Sequence, residues 1–486
     1  MILFLLTLIF TASTLFYYIA KAKRDGETIK SVEEIFIHPT NKGSGSVSLS
    51  FFCSQMSLAT VFIAITQLTP TLGWALIWSP ITFALGYLIL GLFFAPTIAR
   101  ALQPGETIHG FIGNRFQSKL LTKTSAIITV IGLLGMFATE LLVGAFVFRG
   151  PFGSPDVYWP VLLCLSFCVI AYSMIGGFKT ILENDYIQGV LIAGLLLIMF
   201  FIAKSAPEPP VANLNSNPFV SPWMILSLSL INIPFPLIDM TAWQRIGSSQ
   251  NPTASRTGLI TAAFLFFLSW TFLLWASTAV SGSVLPKDII GGFDKIFVSW
   301  ANVSFSRTIA VSLCFAGMAA AILGSADTVL IGAGQTISSD LFPVKKSNEL
   351  SGDQRMIVRA RIYMALGAVI GLVICGTLLK LGLRVSDIIF IVFGSSLGLL
   401  PSVLYALFSK SVDIPKLKST AFFSITIGSV SSWVFGITAY TFPDLKLSVF
   451  DSPIIAVSAS SIIFAVGLII LQLRLKNRVS AVRQIK

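Results

Sequence analysis

The stretch Ala316–Phe342, AGMAAAILGSADTVLIGAGQTISSDLF, decides how the rest of the chain is read. It is long enough to cross a bilayer as a helix, yet it carries a row of small and hydroxyl residues and one acid. At helical spacing Ala321, Gly324, Ser325 and Thr328 share a face, with Asp327 at its edge. A carboxylate at the centre of a membrane helix costs about 2.5–3.5 kcal/mol on insertion scales. Helices accept that cost where the acid meets a cation, a proton or a water-filled cavity. Small residues alone serve close helix–helix contact equally well. The stripe by itself leaves both uses open, and the acid turns the reading toward an ion or substrate path.

The surrounding composition fits such a span. The chain has 486 residues, 55% hydrophobic and 11% charged, with a mean hydropathy of +0.86. That is an all-α polytopic membrane protein, not a soluble domain. The two histidines, His38 and His109, fall in polar connections, which argues against a metal site or histidine-based catalysis. Cys53, Cys164, Cys168, Cys314 and Cys375 all lie in apolar segments, with no disulfide or zinc spacing. Cys164 and Cys168 sit one helical turn apart and read as core packing. No nucleotide loop, metal cluster or nucleophile motif points to an enzyme, and no cofactor is implied.

Thirteen apolar segments are counted. The first, Ile2–Ala20, lacks the basic leader and small-residue cleavage site of a signal peptide and reads as a true span. Twelve more follow at approximately 46–73, 75–99, 124–148, 157–177, 180–203, 220–244, 258–281, 303–341, 360–379, 386–408, 419–441 and 452–473. An odd number puts the termini on opposite sides. Of the 33 basic residues, 25 fall on the C-terminal side and 8 on the other. The positive-inside rule therefore predicts an outside N-terminus and a cytoplasmic C-terminus in the cell membrane. The net charge of +12 is then a topology signal that requires no nucleic acid, and part of it can touch anionic lipid. The inner connection 100–123 reads as a short amphipathic surface helix. Trp74, Trp78, Trp159 and Trp300 near helix ends read as interfacial anchors.

Two segments are not plain spans. The second opens SVSLSFFCSQMSLATVF, crowding Ser48, Ser50, Ser54, Gln55 and Ser57 into one run. The seventh holds NIPFPLIDMTAWQR, in which Pro234 and Pro236 each remove a backbone donor. Non-helical backbone at membrane depth persists only beside a cavity or inside protein. The two lie five helices apart, the spacing of a five-helix inverted repeat whose halves each begin with a discontinuous helix. Helices 2–6 and 7–11 fit that scheme, although serine-rich and proline-containing spans also occur without it. The expected organisation is 1–45, N-terminal helix and loop; 46–204, first repeat; 205–408, second repeat; and 409–486, two helices and a basic tail.

Three motifs in order carry a resemblance. Met174–Gly189, MIGGFKTILENDYIQG, resembles the signature of the sodium:solute symporter family through Gly176, Gly177, Asp185 and Gln188. Asp239–Arg245, DMTAWQR, is similar to the family's second motif, and the opening stretch to its ninth helix, down to Ser339–Phe342. The resemblance covers roughly residues 30–410, and members take up proline, pantothenate, sugars or sialic acid. It implies a sodium site between the second and ninth helices, with carbonyls from Cys53, Met56 and Ala321 and side-chain positions at Gly324 and Ser325. Sodium favours several oxygens, and unwound carbonyls with hydroxyls supply them without a full charge. Gly324 lacks the usual hydroxyl, and Asp327 stands where the family has a small hydroxyl residue. Asp185 matches a family acid near a second ion position, with Ser325 and Thr328 as partners; a helix-start acid stabilised by the helix N-terminus is the other reading. Asp327 and Thr328 complete the second ion or proton group.

By the same resemblance, the solute lies between the second, fourth, seventh and eleventh helices, at Gln55, Ala59, Met136, Phe137 and Asn232. Gln55 stands where the proline carrier has an acid, which disfavours proline. Glu140 lies within the fourth helix, nine residues or ~13 Å from Arg149, too far for a pair along that helix. Either it meets a partner on a neighbouring helix, or it faces the cavity and selects an ammonium or guanidinium group. The function expected is sodium-coupled symport of a small organic solute by alternating access. Proton coupling through Asp327, Glu140 or Asp185 is the alternative, and a solute-sensing membrane receptor is the alternative of another class. Sodium, the solute and the lipid bilayer are the partners implied.

Overall fold

A computed structural model of the chain describes residues 2–27, 29, 31–37, 43–103, 105–152, 157–206, 222–281, 290, 292–343 and 350–484. His38 and parts of the connections around it lie outside the described residues. Among the described residues every regular element is helical. In chain order the first are α1 (Ile2–Gly26), α2 (Val32–Phe36), α3 (Ser44–Gln55), α4 (Ala64–Leu72), α5 (Trp78–Ile89), α6 (Ala95–Ala101), α7 (Ile108–Phe116), α8 (Lys119–Phe152) and α9 (Tyr158–Ser205). There follow α10 (Pro222–Asn232), α11 (Phe235–Ile238), α12 (Met240–Ser248), α13 (Pro252–Ala279), α14 (Phe293–Ala301) and α15 (Phe305–Thr336). The last are α16 (Leu350–Leu381), α17 (Val385–Ser396), α18 (Leu400–Phe408), α19 (Lys418–Thr441) and α20 (Ser452–Gln484).

Against the thirteen spans that the apolar segments predict, ten described helical stretches are long and apolar enough to cross a membrane, or eleven with the bent pair Pro222–Ile238 and Met240–Ser248. The difference arises where two segments run on as one stretch. Leu58–Ala101 is 44 residues long and Tyr158–Ser205 is 48. Within α9 two helices meet at Gly177, whose φ of 61° and ψ of −160° are non-helical. A Cβ there would come within 2.9 Å of the Ile35 carbonyl oxygen, so glycine answers both the backbone angle and the close approach of α2.

Burial separates centre from rim. In the apolar windows of α8 and α15, 89% and 83% of residues are buried, against 22% in α1 and 17% in α20. The outer faces carry apolar side chains such as Phe16, Phe167 and Val190, the surface that lipid would cover. The small-residue stripe of α15 divides between helix contact and a cavity wall. A Cβ at Gly317 would lie 2.7 Å from the Leu191 carbonyl oxygen, and one at Gly324 2.5 Å from Gln188 Oε1, so α9 packs directly on these glycines. The hydroxyl residues Ser325 and Thr328 instead line an internal cavity.

Both irregular segments break as their residues dictate. α3 ends at Gln55; Met56 (φ −84°, ψ 55°) and Ser57 (φ −66°, ψ 138°) leave the helical path. The chain then re-enters through a π-helical turn, Leu58–Ile63, that runs into α4, with Ser57 Oγ accepting from Thr60 N at 2.8 Å. In the second, α10 stops before the proline pair and Asp239 (φ −74°, ψ 114°) starts α12, the two parts bent by 43°. The connection 100–123 holds α7, capped by Thr107, whose Oγ1 accepts from Gly110 N at 2.9 Å. Its apolar face buries Ile108, Ile112 and Phe116, and Arg115 ties it to the Ala406 and Ser409 carbonyls. His109, read as part of a polar connection, is wholly buried there, and burial pushes its pKa down to about 3.

Candidate ion and solute site

The break after Gln55 lies against α15, and one side chain joins them. Glu140, wholly buried in α8, accepts a hydrogen bond from Ser57 Oγ on one carboxylate oxygen and from Ala59 N, at 3.4 Å, on the other. Ser325 makes a polar contact with the same carboxylate. Among the described residues Glu140 has no ion-pair partner. The atoms expected to hold sodium lie on the two segments it touches. The Cys53 carbonyl accepts from Met56 N at 3.3 Å, and the Ala321 carbonyl accepts from Ser325 Oγ at 2.9 Å. The Cys53 thiol donates to the Asp185 carbonyl at 3.1 Å, fastening α3 to α9. At the other side-chain position, Gly324, the Gln188 amide of α9 fills the space that a side chain would enter.

A second polar group lies behind this one. Asp327 accepts from the Tyr172 hydroxyl at 2.6 Å, and Tyr172 packs edge-on against Tyr18 of α1 at 5.7 Å between ring centroids. Thr328 Oγ1 donates to the Gly324 carbonyl at 2.8 Å and accepts from Arg245 Nη2 at 2.9 Å. Asp185, Asp327 and Tyr172 are all buried. Asp327 therefore faces the α9 and α1 side, while its neighbour Thr328 faces the cavity.

The cavity has a volume of about 110 Å³ and lies between the two breaks and α17. Of the residues expected to meet solute, Gln55, Met136 and Asn232 line it. Asn232 Nδ2 donates to Thr82 Oγ1 at 2.9 Å and so is partly engaged. Ala59, Phe137 and Glu140 do not line it: Ala59 is buried behind the break, Phe137 packs at Gly371 of α16, and Glu140 sits one hydrogen bond behind Ser57. Phe83, stacked on Trp270 at 4.1 Å, and Phe235, against Phe393 at 4.5 Å, give the cavity aromatic walls.

Two parts of this arrangement escape a reading by sequence. Arg245, counted there among inner-loop charges, is 3% exposed and sits inside the bundle. Its guanidinium donates to Ser50 Oγ of α3 at 3.1 Å, to the Thr241 carbonyl at 3.3 Å and to Thr328 of α15, and it lies over the Phe178 ring. The Gln-Arg pair was its only signal. Asp239 is the other: it caps α12, accepting from Thr241 N at 2.9 Å and Thr241 Oγ1 at 2.7 Å, and it lines the cavity.

Comparison with known proteins follows the same lines. Residues 41–209 match the sodium:solute symporter family. The chain is 24% identical over 360 residues to the high-affinity proline transporter PutP of Bacillus subtilis, covering 68% of this chain and 72% of that one. It is 23% identical over 324 residues to the sodium/pantothenate symporter of Escherichia coli, covering 62% and 64%. Among solved structures, a Na+-coupled sialic acid symporter in a substrate-bound outward-open state superposes with a TM-score of 0.75 over 95% of this chain and 96% of that one, at 16% identity. At that identity the likeness is one of fold. The motifs, the matched residues and the curated relatives agree in what the chain resembles: the sodium:solute symporter family, matched over residues 41–209.

Proposed function

We propose that the protein couples the entry of a small organic solute to the inward movement of sodium by alternating access. The observation that carries this reading is the helix break at Met56 and Ser57 facing Ser325, joined through Glu140, with a cavity beside it. In this reading sodium binds among the Cys53, Met56 and Ala321 carbonyls and Ser325, and holds α3 against α15. Asp185, Asp327 and Thr328 form the second ion or proton group. Gln55, Met136 and Asn232 meet the solute, with Ala59 and Phe137 shaping the wall behind. Sodium then has to bind the two states of the carrier with different affinity, or it drives nothing.

The topology proposed has thirteen spans, with Leu58–Ala101 and Tyr158–Ser205 each counted as two. At about 1.5 Å per residue either stretch is roughly twice the ~30 Å hydrocarbon core. The two broken segments open inverted repeats at 46–204 and 205–408, the N-terminus lies outside, and the C-terminus is cytoplasmic.

The test is uptake into proteoliposomes of the purified protein under imposed gradients, with solutes chosen by thermal-shift screening with and without sodium. Ser325→Ala and Asp185→Asn are expected to raise the sodium concentration needed for half-maximal uptake at least several-fold. Unchanged transport at low sodium in both variants removes these residues from the mechanism. Proton coupling is the second reading, favoured by the Glu140 and Asp327 carboxyl groups, which are held by hydroxyls and a backbone N–H with no ion pair among the described residues. Uptake driven by a pH gradient in sodium-free buffer would establish it.

A further inference from the structure

Building on that proposed carrier, we infer that the solute bears an ammonium group and lacks a carboxylate. The argument starts from the two broken helices. A helix N-terminus buried in a membrane protein presents unpaired N–H groups and the positive end of its dipole, and it draws an anion. In transporters built this way, the anionic group of a solute takes that seat.

Here both seats are filled by the protein's own acids. At the first break the helical run beginning at Leu58 has its orphan donors answered by Ser57, which takes Thr60 N, and by Glu140, which takes Ala59 N. At the second, the N-terminus of α12 is closed by Asp239 on Thr241 N. A solute carboxylate arriving at either position meets an acid side chain instead of free donors.

Nothing else in the cavity compensates. Among its lining residues the only ionisable side chain is Asp239; no lysine, arginine or histidine reaches it. Arg245 is turned away, with its donors on Ser50, Thr241 and Thr328. The walls suit a cation. Phe83, Trp270, Phe235 and Phe393 all line the cavity, and aromatic faces attract ammonium groups. Trp270 Nε1 is buried without an acceptor among the described residues, so a hydroxyl or carbonyl oxygen on the solute would answer it. The size is modest, at about 110 Å³.

The test uses matched probes that differ only at the carboxylate: prolinol against proline, and choline against glycine betaine. Binding to purified wild-type protein is measured at saturating sodium by quenching of tryptophan fluorescence, with sodium binding alone recorded first. The amino alcohol of at least one pair is expected to bind tenfold or more tightly than its carboxylated counterpart. Glu140→Gln is expected to shrink that ratio several-fold by taking the acid out of the first seat while keeping its shape. Wild-type protein that binds sodium but prefers the carboxylated members, or binds none of the four, overturns the inference and leaves the carrier reading standing. Protein that binds neither sodium nor any probe overturns both.

Discussion

Ser57 has two jobs, and replacing it measures how the break is held. Its hydroxyl donates to Glu140, and its oxygen accepts from Thr60 N at 2.8 Å. Ser57→Ala removes both. Loss of an N-cap hydroxyl costs about 1 kcal/mol. The bond to Glu140 is the larger part. Hydrogen bonds to charged groups contribute about 1.5–3 kcal/mol in soluble proteins, whereas bonds between membrane helices average about 0.6 and reach about 1.7. A buried, charged acceptor puts this bond near the upper membrane figure. The expected coupling between positions 57 and 140 is therefore about 1.5 kcal/mol, and the full cost of Ser57→Ala about 2.5 kcal/mol. The assay is a double-mutant cycle of wild type, Ser57→Ala, Glu140→Met and the double variant, with stability from reversible unfolding in mixed micelles. Methionine keeps the approximate volume of Glu140 and removes its oxygens. In that background Ser57→Ala should cost only the cap, about 1 kcal/mol. Additivity within about 0.5 kcal/mol would refute the bridge across the break.

Gly317→Ala places a methyl group 2.7 Å from the Leu191 carbonyl oxygen, where backbone has to yield. The expected cost is about 1–3 kcal/mol, read as a lower apparent melting temperature; an alanine variant as stable as wild type contradicts the close approach of α9. Arg245→Ala leaves Ser50 and Thr328 without their donor and buried acids without their base. Breaking such a group costs about 3–5 kcal/mol, so the yield of monodisperse protein on size exclusion should collapse, with Arg245→Lys intermediate. His109 is neutral in the fold and its pKa is lowered to about 3, so its contribution is full above the unfolded value near 6.5 and falls as pH drops below it. At pH 5 the loss is about 2 kcal/mol, and His109→Phe should flatten melting temperature against pH between 7 and 5. An unchanged slope in that variant assigns the acid sensitivity elsewhere.

How much of this was legible depends on what a periodic pattern encodes. The breaks were readable because their causes are local: the serine run at Ser48–Ser57, and Pro234 and Pro236, which lack an N–H. The polar stripe of α15 was readable because side chains at three- and four-residue spacing share a face. The partner of each face was not. Glu140 is the clearest case. α8 is apolar and buried nearly all round, so it has no wet and dry sides from which to read a direction. Its carboxylate points to the break and not into the cavity, a fact of helix placement alone. Gly324 announced a missing hydroxyl, but the amide that fills the gap comes from α9, 136 positions earlier at Gln188. Arg245 and His109 were misplaced for one shared reason: distance along the chain from an apolar segment says nothing of whether a polar connection folds back onto the bundle.

Charge around the break sets a further condition on the cycle. Glu140, Asp185, Asp239 and Asp327 are all buried, and Arg245 is the one buried lysine or arginine among the described residues. Fully ionised, Glu140, Asp239 and Asp327 against Arg245 leave two negative charges in excess among these described residues. An uncompensated charge in a membrane interior costs several kcal/mol, so cations or protons belong to the stable form of the protein as well as to transport. Sodium is then expected to stabilise the fold by mass action, about 2.7 kcal/mol at one hundred times its dissociation constant. In the proposed reading potassium, the larger ion, supplies the same ionic strength without that gain. Melting curves in NaCl and KCl at equal concentration test this directly: a higher midpoint in sodium, growing with the logarithm of concentration and shrinking in Glu140→Met, is the expected result. Identical midpoints in the two salts would mean that screening, not a bound ion, offsets the buried acids, and the coupling site would have to lie elsewhere in the bundle.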